Sequence, residues 1–226
     1  MAIAVEVWRV ELRGTAPPSA TDLDVLSADE RDRHDSYLAA ESARIFASTR
    51  LALRGLLGRR LACDPRDVRI EVDSRGKPSL ANSAWPFFNV SHGSSAALIA
   101  LCDAGAVGVD VESGLADDAA SGLPSLVCTP AELAWLAAHR AEAAETIARL
   151  WCRKEAVLKA EGVGLARPMS DVELGDPALR HGSAKMGEGL IARWCDLALP
   201  VAERGAVAVL ATASSKLQVS LRSWTN

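Results

Sequence analysis

Ala96-Ala-Leu-Ile-Ala-Leu-Cys-Asp-Ala-Gly-Ala-Val-Gly-Val-Asp-Val-Glu112 is the stretch that decides the fold. Two runs of strand-forming residues, Ala96 to Leu101 and Ala106 to Glu112, flank Asp103-Ala-Gly105. That connection is too short to hold the helix a parallel crossover requires. Outward from it, Val5 to Leu12 alternates as an opening strand and Val68 to Val72 reads as a short one. Leu190 to Leu199, Ala206 to Ala211 and Leu217 to Trp224 read as closing strands. Ser27-Ala-Asp-Glu30 and Thr129-Pro-Ala-Glu132 have capping-box spacing, so helices are expected to start near Ala28 and Pro130. Longer helices are expected over Tyr37 to Leu61, ended by Cys63-Asp-Pro65, and over Ala143 to Glu161, stopped by Gly162-Val-Gly164. The order predicts an α+β fold of mostly antiparallel sheets packed with helices. The connector Ser113 to Pro124, rich in Gly, Ala and Asp, reads as a subdomain boundary or a mobile loop.

The 226 residues suffice for one large domain or two small ones, and 49% hydrophobic with 24% charged residues excludes disorder and coiled coil. No apolar run is long enough to span a bilayer and none has the form of a signal peptide, so a cytoplasmic protein without a membrane role is expected. Five scattered cysteines with no C-x-x-C pair suggest free thiols rather than a disulfide frame or a zinc site. A net charge of −4 speaks against a nucleic-acid partner. Locally the balance reverses. Ser42 to Cys63 carries Arg44, Arg50, Arg54, Arg59 and Arg60 with no acidic residue, which suggests an anion for at least one of them.

Four short segments carry possible chemistry. In Gly108-Val-Asp-Val-Glu112, strand alternation turns the three valines one way and Asp110 and Glu112 the other. Two adjacent carboxylates either face solvent on an edge strand or share a hard cation such as Mg²⁺. In Trp151-Cys-Arg-Lys-Glu-Ala-Val-Leu-Lys159, the residues Trp151, Lys154, Glu155 and Lys159 fall within about 140° of one helical face. That is either a surface Glu155–Lys159 pair or, if the helix lies against Asp110, a third carboxylate with an ammonium for a phosphate. Phe88-Asn-Val-Ser-His92-Gly brings a strand into a turn where hydroxyl, imidazole and N–H groups can hold an anion, or where His92 is structural. Arg75-Gly-Lys-Pro78 is a tight basic turn.

In this order and spacing the four segments resemble the 4′-phosphopantetheinyl transferases of the larger, Sfp-type class, over about Ser27 to Leu165. The last 60 or so residues resemble that family only in expected strand content. The resemblance implies two similar α+β subdomains related by a pseudo-twofold axis, here 1–105 and 106–226, in a monomer. Coenzyme A is the implied substrate, and Mg²⁺, with Mn²⁺ as substitute, is the implied metal in the cleft between them. Asp110, Glu112 and Glu155 match the metal ligands, and Asp110 also borders the coenzyme. Lys159 matches the lysine on the pyrophosphate. Gly76, Lys77, Pro78, Ser91 and His92 match the surroundings of the adenosine and its 3′-phosphate. Arg50 is the first arginine expected there, then Arg44, with Arg33 as a further candidate.

The implied reaction moves the 4′-phosphopantetheine arm to a serine of an apo acyl or peptidyl carrier protein and releases 3′,5′-ADP. Glu155 is the candidate base and Lys159 the candidate charge stabiliser. Three departures stand out: Gly93 where the family has Ser, Ser113 with Asp117-Asp118 where a basic residue is usual, and Arg44 one residue out of register. Two other functions use the same residues, a non-catalytic coenzyme A or carrier binder and a Mg²⁺-dependent phosphohydrolase.

Overall fold

A computed structural model describes residues 2–74, 76–81, 83, 85–112, 122–186, 191–200, 203–211 and 216–225, with backbone alone at 165, 210 and 211. Arg75 and most of the connector expected after Glu112, including Ser113, Asp117 and Asp118, lie outside the described residues. Strand β1 (Ala2–Glu11) leads to helices α1 (Ala20–Leu23), α2 (Ala28–Asp35) and α3 (Ala40–Leu61). Strands β2 (Ile70–Val72), β3 (Pro78–Leu80), β4 (Phe87–His92), β5 (Ala96–Cys102) and β6 (Val107–Glu112) follow. Helices α4 (Leu123–Val127), α5 (Pro130–Ala138) and α6 (Ala143–Glu161) precede β7 (His181–Lys185), β8 (Ile191–Asp196), β9 (Arg204–Ala211) and β10 (Lys216–Trp224).

The strands form two four-stranded sheets, β10-β1-β5-β4 and β6-β9-β8-β7, plus the hairpin β2-β3. All pairings are antiparallel except β1 with β10. The expected α+β architecture of antiparallel sheets packed with helices is therefore what the chain adopts. The segment 96–112 is not a hairpin, however: its turn hands the chain from one sheet to the other. β10 returns to the first sheet, so the sheets do not follow a cut at residue 105.

The layers run helix, sheet, sheet, helix. On α3, Leu53, Leu56 and Leu57 pack against Val10, Ile99 and Leu101. Between the sheets lie Val5, Val7, Leu98, Val107, Val109, Val111 and Val207. On the far side Ile147, Leu150 and Leu158 of α6 pack on Ala192, Trp194 and Ala208. All seven residues of β5 are buried, because its two faces feed two different cores. The three β6 valines enter the inter-sheet core, which turns Asp110 toward α6 as the alternation requires.

Both long helices end on backbone signals. α6 closes at Gly162 (φ 83°) as expected, while α3 closes at Ala62 in the left-handed region (φ 53°). Helix α3 begins at Ala40, three residues later than expected from Tyr37. Strand β7 has no clear signal in the sequence. Its Gly182 leaves room for the Trp194 ring, which would lie 2.7 Å from a Cβ there.

A cleft lined by carboxylates and a lysine

Helix α6 crosses β6 at Gly108. A Cβ there would lie 2.5 Å from the Ala160 nitrogen and closer still to the Ala156 carbonyl oxygen. Glycine is thus required for the approach, and the approach sets the end of α6 against the polar face of β6. Lys77, from the β2-β3 turn, donates from Nζ to the Lys159 carbonyl oxygen at 2.8 Å, satisfying a carbonyl in the last turn of α6. Asn89 joins the edges of the two sheets. Its Oδ1 accepts from the Val109 N–H at 3.0 Å, in a buried position, so β4 lies beside β6 without a backbone ladder.

These contacts bring Ser91, Asp110, Glu155 and Lys159 together. Lys159 Nζ donates to Asp110 Oδ1 at 2.7 Å and to Ser91 Oγ at 3.1 Å, and lies 3.9 Å from Glu155 Oε2. Ser91 Oγ in turn donates to Asp110 Oδ1 at 2.9 Å. Asp110 is 2% exposed, and its Oδ2 has no hydrogen-bond partner among the described residues. Burial and the nearby Asp110 charge raise the Glu112 pKa to about 7, although the Trp151 indole and Lys159 oppose the shift. The Glu155 pKa is raised by burial, with Lys159 pulling it down and Asp110 pushing it up.

Glu155 and Lys159 form one wall of an open cleft of about 580 Å³, with Gly76, Lys77, Pro78, Asn89 and Gly162 also lining it. Gly76 takes φ 84° at the turn, a conformation that favours glycine. His92, at the exposed end of β4, is not among the described residues that line this cleft. Partial burial, Lys159 and then Arg33 hold its pKa below the usual histidine value, so the ring favours its neutral form at pH 7.

Of the arginines, Arg50 is buried and its guanidinium stands 5.5 Å from the centre of the Phe46 ring, with Arg33 at 5.3 Å. Arg50 meets Glu30 at 3.4 Å, while its Nη1 is buried with no hydrogen-bond partner among the described residues. Burial, then the neighbouring Arg54 and Arg33, lower its pKa against the pull of Glu30. Arg44 is fully engaged elsewhere, donating to Glu41, Thr15 and the Leu12 carbonyl, and so ties α3 to the end of β1.

Lys154 corrects the expected helical face. It is fully buried, and Nζ donates to Glu132 Oε2 at 2.5 Å and to the Val127 carbonyl at 2.8 Å, away from the carboxylates. Asn89 lies within the Phe88-to-His92 segment, where the sequence suggests no role for it. Its sheet-joining bond depends on a non-local neighbour, and no local pattern signals it.

Among the described residues, no three His, Cys, Asp or Glu side chains converge as a ready-made metal cluster. The Lys159 ammonium contacts both Asp110 and Glu155. The donor set nonetheless suits a hard cation. Asp110 keeps a buried orphan oxygen, and burial and mutual repulsion disfavour ionisation of Glu112 and Glu155, which a divalent ion would reverse.

This α+β scaffold sets a carboxylate pair on an edge strand beneath a Lys-Glu helix. The chain belongs to the 4′-phosphopantetheinyl transferase superfamily, whose family model matches residues 106–210. The 4′-phosphopantetheinyl transferase HetI of a Nostoc species is 31% identical over 174 residues, covering 75% of this chain and 73% of that protein. The Synechocystis protein slr0495 is 33% identical over 151 residues, 66% of this chain and 61% of its own length, so that match spans less than two thirds of the relative. Sfp of Bacillus subtilis is 24% identical over 148 residues, 65% of each chain. No described helix is long and apolar enough to cross a membrane.

Proposed function

We propose that the protein transfers the 4′-phosphopantetheine arm of coenzyme A to a serine of an apo acyl or peptidyl carrier protein, with Mg²⁺ or Mn²⁺ required. The observation that carries this reading is the cluster in which Lys159 meets both Asp110 and Glu155, beside a cleft of about 580 Å³ lined by Glu155, Lys159, Gly76, Lys77 and Pro78. The cleft lies between the halves 1–105 and 106–226, which we read as two subdomains with β10 returned to the first.

In this reading Asp110, Glu112 and Glu155 hold the divalent ion. When bound, it offsets the charge that builds on the pyrophosphate oxygens as the leaving group departs. Lys159 binds the same pyrophosphate through its ammonium, whose open side faces the cleft. His92, Arg33 and Arg50 bind the 3′-phosphate, supported by the unpartnered Arg50 Nη1 beside Arg33. Lys77 and Pro78 border the adenosine. The carrier serine oxygen bonds to the phosphorus that carries the pantetheine arm, and the bond from that phosphorus to the bridging oxygen of 3′,5′-ADP breaks. The serine proton passes to Glu155, directly or through one water. The carrier docks near the segment 113–132, where the exposed Leu126 offers an apolar contact.

Intact-protein mass spectrometry of an apo carrier incubated with this protein, coenzyme A and Mg²⁺ tests the reading. The carrier should gain one phosphopantetheine mass, and EDTA should abolish the gain. Coenzyme A binding with no gain on fatty-acid, polyketide or peptide carriers would point to a non-catalytic binder. Release of 3′,5′-ADP without a carrier would point to a phosphohydrolase.

A further inference from the structure

The position of Lys159 bears on how the site is loaded. Its backbone is held on one side, where α6 is pressed onto β6 at Gly108 and a Cβ would lie 2.9 Å from Lys159 Cβ. Its backbone carbonyl is held from the other side by Lys77. Only the flexible four-carbon stem can move, and it lies on the border between two environments. On one side are Asp110 Oδ1 at 2.7 Å and Ser91 Oγ at 3.1 Å, and on the other the open cleft. The side chain is 25% exposed, whereas that of Asp110 is 3% exposed. A carboxylate so deeply buried needs a cation, and the ammonium supplies it.

We propose that Lys159 is an exchangeable counterion: it neutralises Asp110 until a divalent ion takes over that carboxylate, and its ammonium then swings into the cleft onto a phosphate of coenzyme A. This rests on the reading of Asp110 as a metal ligand given above. Metal and lysine compete for Asp110 in the coenzyme-free protein, and the coenzyme's phosphates end the competition by drawing the lysine away. Each ligand therefore strengthens the binding of the other, by one and the same factor. The carbon stem reaches both positions from one fixed Cα, and no backbone change is required.

The test measures Mn²⁺ affinity by electron paramagnetic resonance, with no carrier protein present. In the coenzyme-free protein, Lys159→Met and the polar variant Lys159→Gln should bind Mn²⁺ about tenfold more tightly than wild type, within the usual range of coupling between two sites. Lys185→Met, which removes one positive charge from the exposed end of β7 instead, should leave that affinity unchanged. In both Lys159 variants, coenzyme A should improve Mn²⁺ binding by a smaller factor than in wild type. If Mn²⁺ affinity without coenzyme is unchanged or weaker in both Lys159 variants while wild type binds the ion, this proposal is overturned and the metal reading stands. If neither wild type nor variants bind Mn²⁺ even with coenzyme A, the metal reading fails and takes this proposal with it.

Discussion

The two halves of the molecule are fastened by the same device and differ in the charge left over. In the first half, the capping-box residue Glu30 of α2 accepts from the Ser27 N–H and from Arg54 of α3, whose Nε lies 2.6 Å away. In the second, the capping-box residue Glu132 of α5 accepts from the Thr129 N–H and from Lys154 of α6. Each short helix is thus capped and bolted to its long helix by one buried carboxylate. The remainder has opposite sign. Around α3, Arg50 and Arg33 surround Phe46, with Glu30 shared between Arg50 and Arg54. Around α6, Asp110, Glu112 and Glu155 are left with Lys159. One half is left with surplus positive charge and the other with surplus negative charge, the pairing that the proposed function would use on a metal-bound phosphate ester.

The largest expected effect comes from breaking the acidic side. Glu155→Ala should lower transfer to a carrier protein by at least about a thousandfold, since it removes the proposed base and a metal ligand together. Coenzyme A binding, followed by calorimetry, should stay within about tenfold of wild type because the groups proposed to hold its 3′-phosphate are untouched. Transfer at the wild-type rate would remove Glu155 from the mechanism.

The two clasps should fail differently. Removing one charge of a buried pair costs about 3–5 kcal/mol, and Glu30→Gln should reach the upper end. It leaves the buried Arg50 and Arg54 without a carboxylate, and arginine does not shed its proton. Glu132→Gln should cost less, because it leaves one buried cation, Lys154, without its carboxylate where Glu30→Gln leaves two. Urea unfolding of both variants at pH 7 checks this, and equal losses would contradict it.

Much of this architecture is legible in the chain itself. Both clasps begin as capping boxes, and the facing of Asp110 follows from alternation with three valines. Gly108, whose missing side chain leaves space beside Asp110, proves to be where α6 rests. Expectation and structure part where a local pattern meets a non-local partner. Lys154 and Lys159 bound the same arc of about 140°, yet the arc's two edges face different neighbours, α5 and β6. Helical spacing alone does not distinguish them. Arg44 belongs to the arginine-rich helix that suggested an anion site, but it is consumed by Glu41 and the end of β1. The parallel return of β10 to β1 likewise joins the two ends of the chain and has no local signature.

On the basic side, Arg50→Met should weaken coenzyme A binding about ten- to a hundredfold, the loss expected for one or two hydrogen bonds to a charged group. Dephospho-coenzyme A, which lacks the 3′-phosphate, should bind the variant and wild type alike. Calorimetry with both ligands measures the difference, and an equal loss for both would move Arg50 off the 3′-phosphate.

The smallest effect concerns the metal-free acidic side. The Glu112 pKa is raised to about 7 in the folded chain from an ordinary value of 4.5. Between those values the folded state keeps a proton that the unfolded state has released. The stabilisation linked to that proton is complete below about pH 4.5 and is lost as pH climbs through about 7. Other carboxylates titrate over part of the same window, so the informative quantity is a difference. Thermal unfolding in EDTA should show wild type losing stability relative to Glu112→Gln as pH rises from 5 to 8. Mg²⁺ should cancel that loss in wild type alone, because a divalent ion favours the ionised carboxylate. If the two pH profiles run parallel, Glu112 is not strained by its surroundings and ionises as an ordinary carboxylate.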